Sequence, residues 1–284
     1  MSTILDTLKK GTEYLEKYGI EEPRLNMEHL VAHALRCQRM QIYLDFDKPL
    51  DEPQLELLRD LVRKRSKGEP LQHLLGSVEF CGFEFKTDGR ALIPRPETEE
   101  LAEKLSEMEW NSGLRILDLG CGSGVLGLSL AKLLKSKEVH LTLADISEDA
   151  LTLARENAEP VLGDDAGNVQ FLQSDLFESV EGHFDLIAAN LPYIPQTDAP
   201  TLSREVLRDP PIALYGGESG TELILRFLNE AGDYLNNSGR IGIEYGIGQA
   251  EELRIAAEDA GFEDVIIRKD LSGHERFLFA SKSP

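Results

Sequence analysis

The stretch Ile116-Leu117-Asp118-Leu119-Gly120-Cys121-Gly122-Ser123-Gly124, followed by the apolar run 125–134, decides the fold. A short buried strand that runs into alternating glycines and then a helix is the first unit of an open α/β sheet. Glycines permit a sharp turn and bring a ligand against amide groups at a helix N-terminus. Gly120, Cys121, Gly122, Ser123 and Gly124 are therefore expected to bind a cofactor. Spacing alone admits two readings, because Gly122, Gly124 and Gly127 also fit the dinucleotide pattern G-x-G-x-x-G. Asp118, on the strand itself, favours a cationic ligand: a carboxylate there attracts the amino group or sulfonium of S-adenosylmethionine. Cys121 reads as a small side chain in a tight loop rather than a reactive thiol.

Downstream, strand-like runs at 140–144, 169–172, 184–189, 240–245, 265–268 and 277–279 alternate with amphipathic segments. With 115–119 they predict a seven-stranded, doubly wound, Rossmann-like α/β domain. Residues 269–276 leave no room for a crossover helix, so the last two strands should pair antiparallel. Upstream, residues 1–75 show helical spacing, with Pro23 and Pro53 suited to first turns, and read as a small helical domain. Aromatic and apolar residues flanking Cys81-Gly82 predict a β-hairpin, and 76–97 is read as a linker into a catalytic domain spanning 98–284.

Two acids follow the glycine loop at the spacing a nucleoside needs. Asp145 ends the next strand about 20 residues on, where a carboxylate can accept two hydrogen bonds from ribose hydroxyls, and Ile146 is grouped with it. Its alternative role is a helix cap, for which Ser147 is better suited. Asp175 offers an acceptor for an adenine amino group with Leu176 packed on the ring; a helix cap is the alternative.

Asn190-Leu191-Pro192-Tyr193 follows the run 184–189, at the carboxyl end of a central strand where such sheets bind ligands. An amide nitrogen is a poor nucleophile because its lone pair is delocalised. The Asn190 side-chain oxygen and the carbonyl of Leu191 are placed to accept its two hydrogens and aim the lone pair at a methyl carbon. That is catalysis by alignment and electrostatics. Pro192 restricts the residue before it to extended geometry, and Tyr193 is expected to stack on the planar target.

Thirty Lys and Arg against 51 Asp and Glu leave a formal net charge of -21, which disfavours a phosphate backbone as direct partner. Three cysteines suit neither a disulfide framework nor a metal site, so no metal is expected. His29 and His33 share a helical face but lack a third ligand. No leader or membrane-spanning run is read, so a cytoplasmic protein is expected. Arg59, Arg63, Lys64, Arg65 and Lys67 read as a solvated face of one helix.

The chain resembles the bacterial peptide chain release factor N(5)-glutamine methyltransferases over nearly its whole length. The resemblance rests on Glu22-Pro23-Arg24-Leu25, the segment 68–76, Ile93-Pro94-Arg95-Pro96-Glu97-Thr98-Glu99, the 118–124 loop, Asp145-Ile146-Ser147, Ala213-Leu214-Tyr215-Gly216-Gly217 and Asp270-Leu271-Ser272-Gly273. The 93–99 segment is the most specific of these. The resemblance implies an enzyme that uses S-adenosylmethionine to methylate the glutamine of the Gly-Gly-Gln motif in release factors, with the helical domain reading the partner; a monomer is expected. A ribosomal-protein glutamine and adenine N6 in nucleic acid remain as alternative acceptors. One departure stands out: the family signature is Asn-Pro-Pro-Tyr, and Leu191 takes the second position. Arg95 and Glu97 are open between steering the substrate and pairing at the domain boundary.

Overall fold

The computed structural model describes residues 2–283. It divides into two compact units, the chain up to Ser77 with Ser203–Arg208, and Val78–Leu202 with the chain from Asp209 onward.

The first unit is helical: α1 (Ile4–Lys17), α2 (Pro23–Leu35), α3 (Arg39–Ile42), α4 (Glu52–Ser66) and α5 (Leu71–Leu75). Thr3 and Asp51 cap α1 and α4 with reciprocal side-chain bonds, and Pro23 and Pro53 lie in first turns, where a missing N–H costs nothing. Ile4, Leu8, Met27, Leu30, Leu58 and Leu61 form its core. The basic stripe on α4 is not uniformly solvated. Arg59 and Lys64 pair with Glu52 and Asp60, but Arg65 is buried, donating to Asn26 Oδ1 and to Glu205 Oε1 at 2.6 Å each. A segment some 140 positions away in sequence supplies the carboxylate, so the spacing of α4 alone could not reveal it.

The second unit opens with the hairpin β1 (Ser77–Phe80) and β2 (Phe83–Lys86). Cys81 and Gly82 both have positive φ, +51° and +75°, as a two-residue turn requires. The hairpin buries Phe80 and Phe85 in the main core, and Asn157 accepts from Lys86 N at 2.7 Å and donates to Lys86 O at 3.1 Å.

Then follow α6 (Pro96–Ser106), β3 (Arg115–Leu119), α7 (Val125–Leu133), β4 (His140–Asp145), α8 (Glu148–Leu162), β5 (Gln170–Gln173), β6 (Phe184–Asn190), β7 (Ile194–Pro195), β8 (Tyr215–Gly217), α9 (Glu222–Ala231), β9 (Leu235–Glu244), α10 (Ala250–Asp259), β10 (Phe262–Lys269) and β11 (Glu275–Lys282). The seven-stranded sheet runs β10-β11-β9-β6-β3-β4-β5, and β7 pairs with β8 in a separate two-stranded ribbon. The pairs β6–β9, β6–β3, β3–β4 and β4–β5 are parallel, and β11 is antiparallel to both β9 and β10, as the short final connection predicts. Alternate residues along β6 enter different cores: Leu186 and Ala188 one, Ile187 and Ala189 the other. Chain order reverses about β3, which opens a crevice at the carboxyl ends of β3, β4 and β6. Among the described residues no helix is long and apolar enough to cross a membrane.

Candidate active site

The crevice holds a cavity of about 320 Å³, within the range of small-molecule sites. Gly120 and Gly122 line it and Gly124 follows just beyond, with φ of +70°, +54° and +81°, values that carry a steric cost for any other residue. A Cβ on Gly124 would come within 3.0 Å of Leu128 and 3.1 Å of Ala154, so the glycine also lets α7 and α8 close on the loop. Gly127 serves the strand instead: its N–H donates to Asp118 Oδ2 at 2.8 Å, and a Cβ there would meet Leu143 at 2.5 Å.

Asp118 lies on the cavity wall but is fully buried, and burial together with the nearby Asp145 charge pushes its carboxyl up to about 7, against the pull of the Gly127 N–H. Asp145 is raised by burial too, opposed by the N–H groups of Ser147 and Gly122, each at 2.8 Å. Ser147 Oγ caps α8 by accepting from Ala150 N at 3.2 Å, so Asp145 is not the cap. Ile146 also lines the cavity, about half exposed, while burial disfavours the thiolate of Cys121.

No helix starts at Asp175. Ser174 organises that turn, donating to Leu176 O at 2.7 Å and accepting from Ser179 N at 2.9 Å. Leu176 is buried on the cavity wall with φ +46°. Asp175 pairs with Arg226 Nη2 at 3.1 Å, a cavity-lining partner on α9 that no local sequence signal announces.

Asn190, Leu191 and Pro192 line the cavity as well. Asn190 Nδ2 donates to Thr98 Oγ1 at 2.8 Å, and Thr98 donates to Glu244 Oε2 at 2.6 Å. Tyr193, expected against the target, is instead anchored behind the wall. Its hydroxyl donates to Glu244 Oε1 at 3.0 Å and accepts from Arg276 Nη2 at 2.9 Å, and the Arg276 guanidinium lies 5.2 Å from its ring centroid. Burial and the Glu244 charge raise the phenol above its ordinary value. Arg276 also donates to Glu244 at 3.1 Å. Thr98 falls in the 93–99 segment, and a signal for Glu244 existed: an acid at the end of an otherwise apolar central strand. Arg95 lines the cavity too, paired with Asp209 Oδ2 at 2.6 Å, while Asp209 Oδ1 accepts from Ile93 N at 3.2 Å.

Comparison with known proteins agrees with this geometry. Residues 6–76 match the family profile described as PrmC N-terminal domain, and 97–208 that described as methyltransferase small domain. The release factor glutamine methyltransferase of Rhodopirellula baltica is 39% identical over 99% of this chain and 97% of its own. That of Leptospira interrogans is 37% identical over 99% and 98%. Among solved structures, a methyltransferase from Pyrococcus furiosus matches with a TM-score of 0.53 at 20% identity, over 72% of this chain and 90% of that one. The Thermus thermophilus 16S rRNA N2 G1207 methyltransferase, in complex with AdoMet and guanosine, matches with a TM-score of 0.53 at 22% identity, over 72% and 49%. These structural matches concern the fold alone. The near-complete coverage at more than a third identity places the chain: it belongs to the release factor glutamine methyltransferase family.

Proposed function

We infer that the chain transfers a methyl group from S-adenosylmethionine to the side-chain amide nitrogen of the glutamine in the Gly-Gly-Gln motif of peptide chain release factors. The observation that carries this reading is the placement of Asn190 and Leu191 on the wall of the cavity that also holds the glycine turn and Asp145. Acceptors for an NH₂ group thus share one crevice with a nucleoside-type site.

The residues suit the cofactor. A carboxylate offers about four lone-pair positions. Gly122 and Ser147 take one on each oxygen of Asp145, which leaves acceptors for a ribose diol. The positive-φ glycines hold the backbone low where a Cβ would intrude, and the acidic Asp118 suits a cation. When bound, S-adenosylmethionine supplies an electrophilic methyl carbon on a sulfonium. Asp175 and Leu176 are assigned to the adenine, with Arg226 holding Asp175 in place.

The chain's own part in the reaction is alignment. Asn190 Oδ1 and the Leu191 carbonyl accept the two amide hydrogens of the target, which fixes the direction of the nitrogen lone pair and stabilises the charge that develops on nitrogen. Pro192 keeps Leu191 extended, and Tyr193 anchors the segment from behind. The helical unit is assigned to reading the release factor. The reading has the enzyme act as a cytoplasmic monomer on protein rather than nucleic acid, in keeping with a formal charge of -21.

The test is incubation with labelled S-adenosylmethionine and purified release factor, beside a release factor whose Gly-Gly-Gln glutamine is alanine. Label on the first alone is expected. Label on both or on neither overturns the assignment, and label on a ribosomal protein or on nucleic acid instead redirects it.

A further inference from the structure

The buried hydrogen bonds behind Asn190 have a direction. Arg276 can only donate, and it contacts Glu244 Oε1 at 3.1 Å. Tyr193 adds a second donor to that oxygen at 3.0 Å. Glu244 has no exposed surface: burial raises its carboxyl above the ordinary value, and the Thr98 hydroxyl, the Arg276 charge and the Tyr193 hydroxyl oppose that rise, which are the cation and donors a buried carboxylate requires. Its other oxygen must then accept from Thr98, at 2.6 Å. A threonine hydroxyl has one hydrogen. With that hydrogen committed to Glu244, Thr98 faces Asn190 as an acceptor, and Asn190 must present its NH₂ side to it, at 2.8 Å. The Asn190 carbonyl oxygen is then the half of the amide left for the cavity.

Building on the function inferred above, we propose that Glu244 and Thr98 are positioning residues that set the polarity of Asn190. Anchored by Arg276, they force its side chain to offer the target amide an acceptor rather than a donor. An asparagine at the end of a strand has no intrinsic preference between its two amide orientations, since oxygen and nitrogen are nearly equal in size. Without the chain of bonds behind it, Asn190 would present NH₂ to another NH₂ in part of the molecules. Thr98 lies on α6 and Glu244 on β9, so the device needs the two elements to meet.

E244Q tests this with almost no change of shape. The glutamine oxygen is held by Arg276, which has nothing to accept with, so the glutamine NH₂ turns to Thr98. Thr98 then donates to Asn190, and the Asn190 NH₂ swings into the cavity. Turnover is expected to fall by about a hundredfold or more, the scale on which misdirected groups at a developing charge act, with cofactor affinity changed less than about threefold. T98V removes the hydroxyl at constant shape and frees Asn190 to take both orientations, lowering kcat about tenfold, whereas T98S restores the hydroxyl and stays within about threefold of the parent.

Hydrogen exchange of the Asn190 side-chain NH₂, followed by NMR on asparagine-labelled protein, reads the orientation without any reaction. It should be slow in the parent and T98S and faster in T98V and E244Q. Parent-like turnover in E244Q, equal activity in T98V and T98S, or uniform exchange across the set overturns the proposal. If E244Q does not fold, the Thr98 pair decides alone. If the parent methylates no release factor yet the exchange pattern holds, the positioning stands and the assigned function falls.

Discussion

Leu191 is the residue at which the chain departs from the Asn-Pro-Pro-Tyr signature, and its surroundings explain how the departure is accommodated. Its side chain is buried, and a Cβ on Gly120 would come within 2.8 Å of its Cδ2, so leucine fills the space over the glycine turn. Asn190 is already extended in β6 and Pro192 keeps Leu191 extended, so much of what a ring at 191 would impose is imposed by its neighbours. Leu191→Pro should leave turnover within about tenfold of the parent, roughly 1.4 kcal/mol. Complete inactivation would mean that the leucine side chain, and not only the carbonyl, is used.

Asp118 gives a pH signature. Its carboxyl is raised from an ordinary 3.8 to about 7 in the folded chain, so between those values the native state binds a proton that the unfolded state has released. The stabilisation from keeping Asp118 neutral is complete below the unfolded value and lost as pH rises through the folded one. The melting temperature of the cofactor-free protein should therefore fall between pH 4 and 7 for this group. Asp118→Asn keeps an acceptor for Gly127 and should flatten that fall, though not remove it, because Asp145 is raised in the same direction. A cationic ligand favours the ionised form, so S-adenosylmethionine affinity should rise with pH up to about 7 and then level. Calorimetry in buffers of different ionisation enthalpy should detect proton release below that point; its absence would show that Asp118 does not sense the cation.

Among the elements outside the main sheet, the β7–β8 ribbon also shapes the site, with Tyr215 on the cavity wall. A Cβ on Gly216 would stand 2.4 Å from Pro192 O and 2.3 Å from Gly220 O, and one on Gly220 would stand 2.4 Å from Tyr193 O. These are backbone atoms that cannot rotate away, so the two glycines let the ribbon clamp the segment that carries the acceptors. Gly216→Ala should lower kcat by about tenfold or more while leaving cofactor affinity within a fewfold, since movements near 1 Å at a reacting centre cost that much. Parent-like turnover measured with purified release factor would show that the clamp is dispensable. Other elements show how far local pattern reaches. The Cys81-Gly82 hairpin and β3 stand where their sequences indicate. β9 starts at Leu235, five residues before the strand-like run, because Asn236-Asn237-Ser238-Gly239 form an irregular stretch of strand, with Ser238 at φ +59°. β10 likewise begins at Phe262 and carries Asp264 at φ +50°.

At the scale of the whole molecule, the cavity is lined, among the described residues, only by those of the second unit. A fragment starting at Val78 should keep cofactor affinity within about tenfold yet methylate release factor at least about a hundredfold more slowly, if the helical unit supplies the binding energy that positions the acceptor. Equilibrium dialysis and the labelled transfer assay separate the two effects, and a fragment as active as the full chain would remove the helical unit from recognition. The segment 203–208, which belongs with the helices, would lose the Arg65 partner of Glu205 in such a fragment. Removing it as well is the appropriate control.

The α/β class, the glycine turn, the acids at 118 and 145 and the Asn190 segment were all determined by the sequence alone, because each is written in neighbouring residues: period, glycine spacing, strand ends. The tertiary structure decided what depends on residues far apart in the chain. Arg65 is buried because Glu205 reaches it, Asp175 meets Arg226, and Tyr193 is turned from the cavity by Glu244 and Arg276. The orientation of Asn190 belongs to the same class, since Thr98 and Glu244 stand 92 residues before it and 54 after it, and hydrogen-bond direction exists only once the partners are side by side.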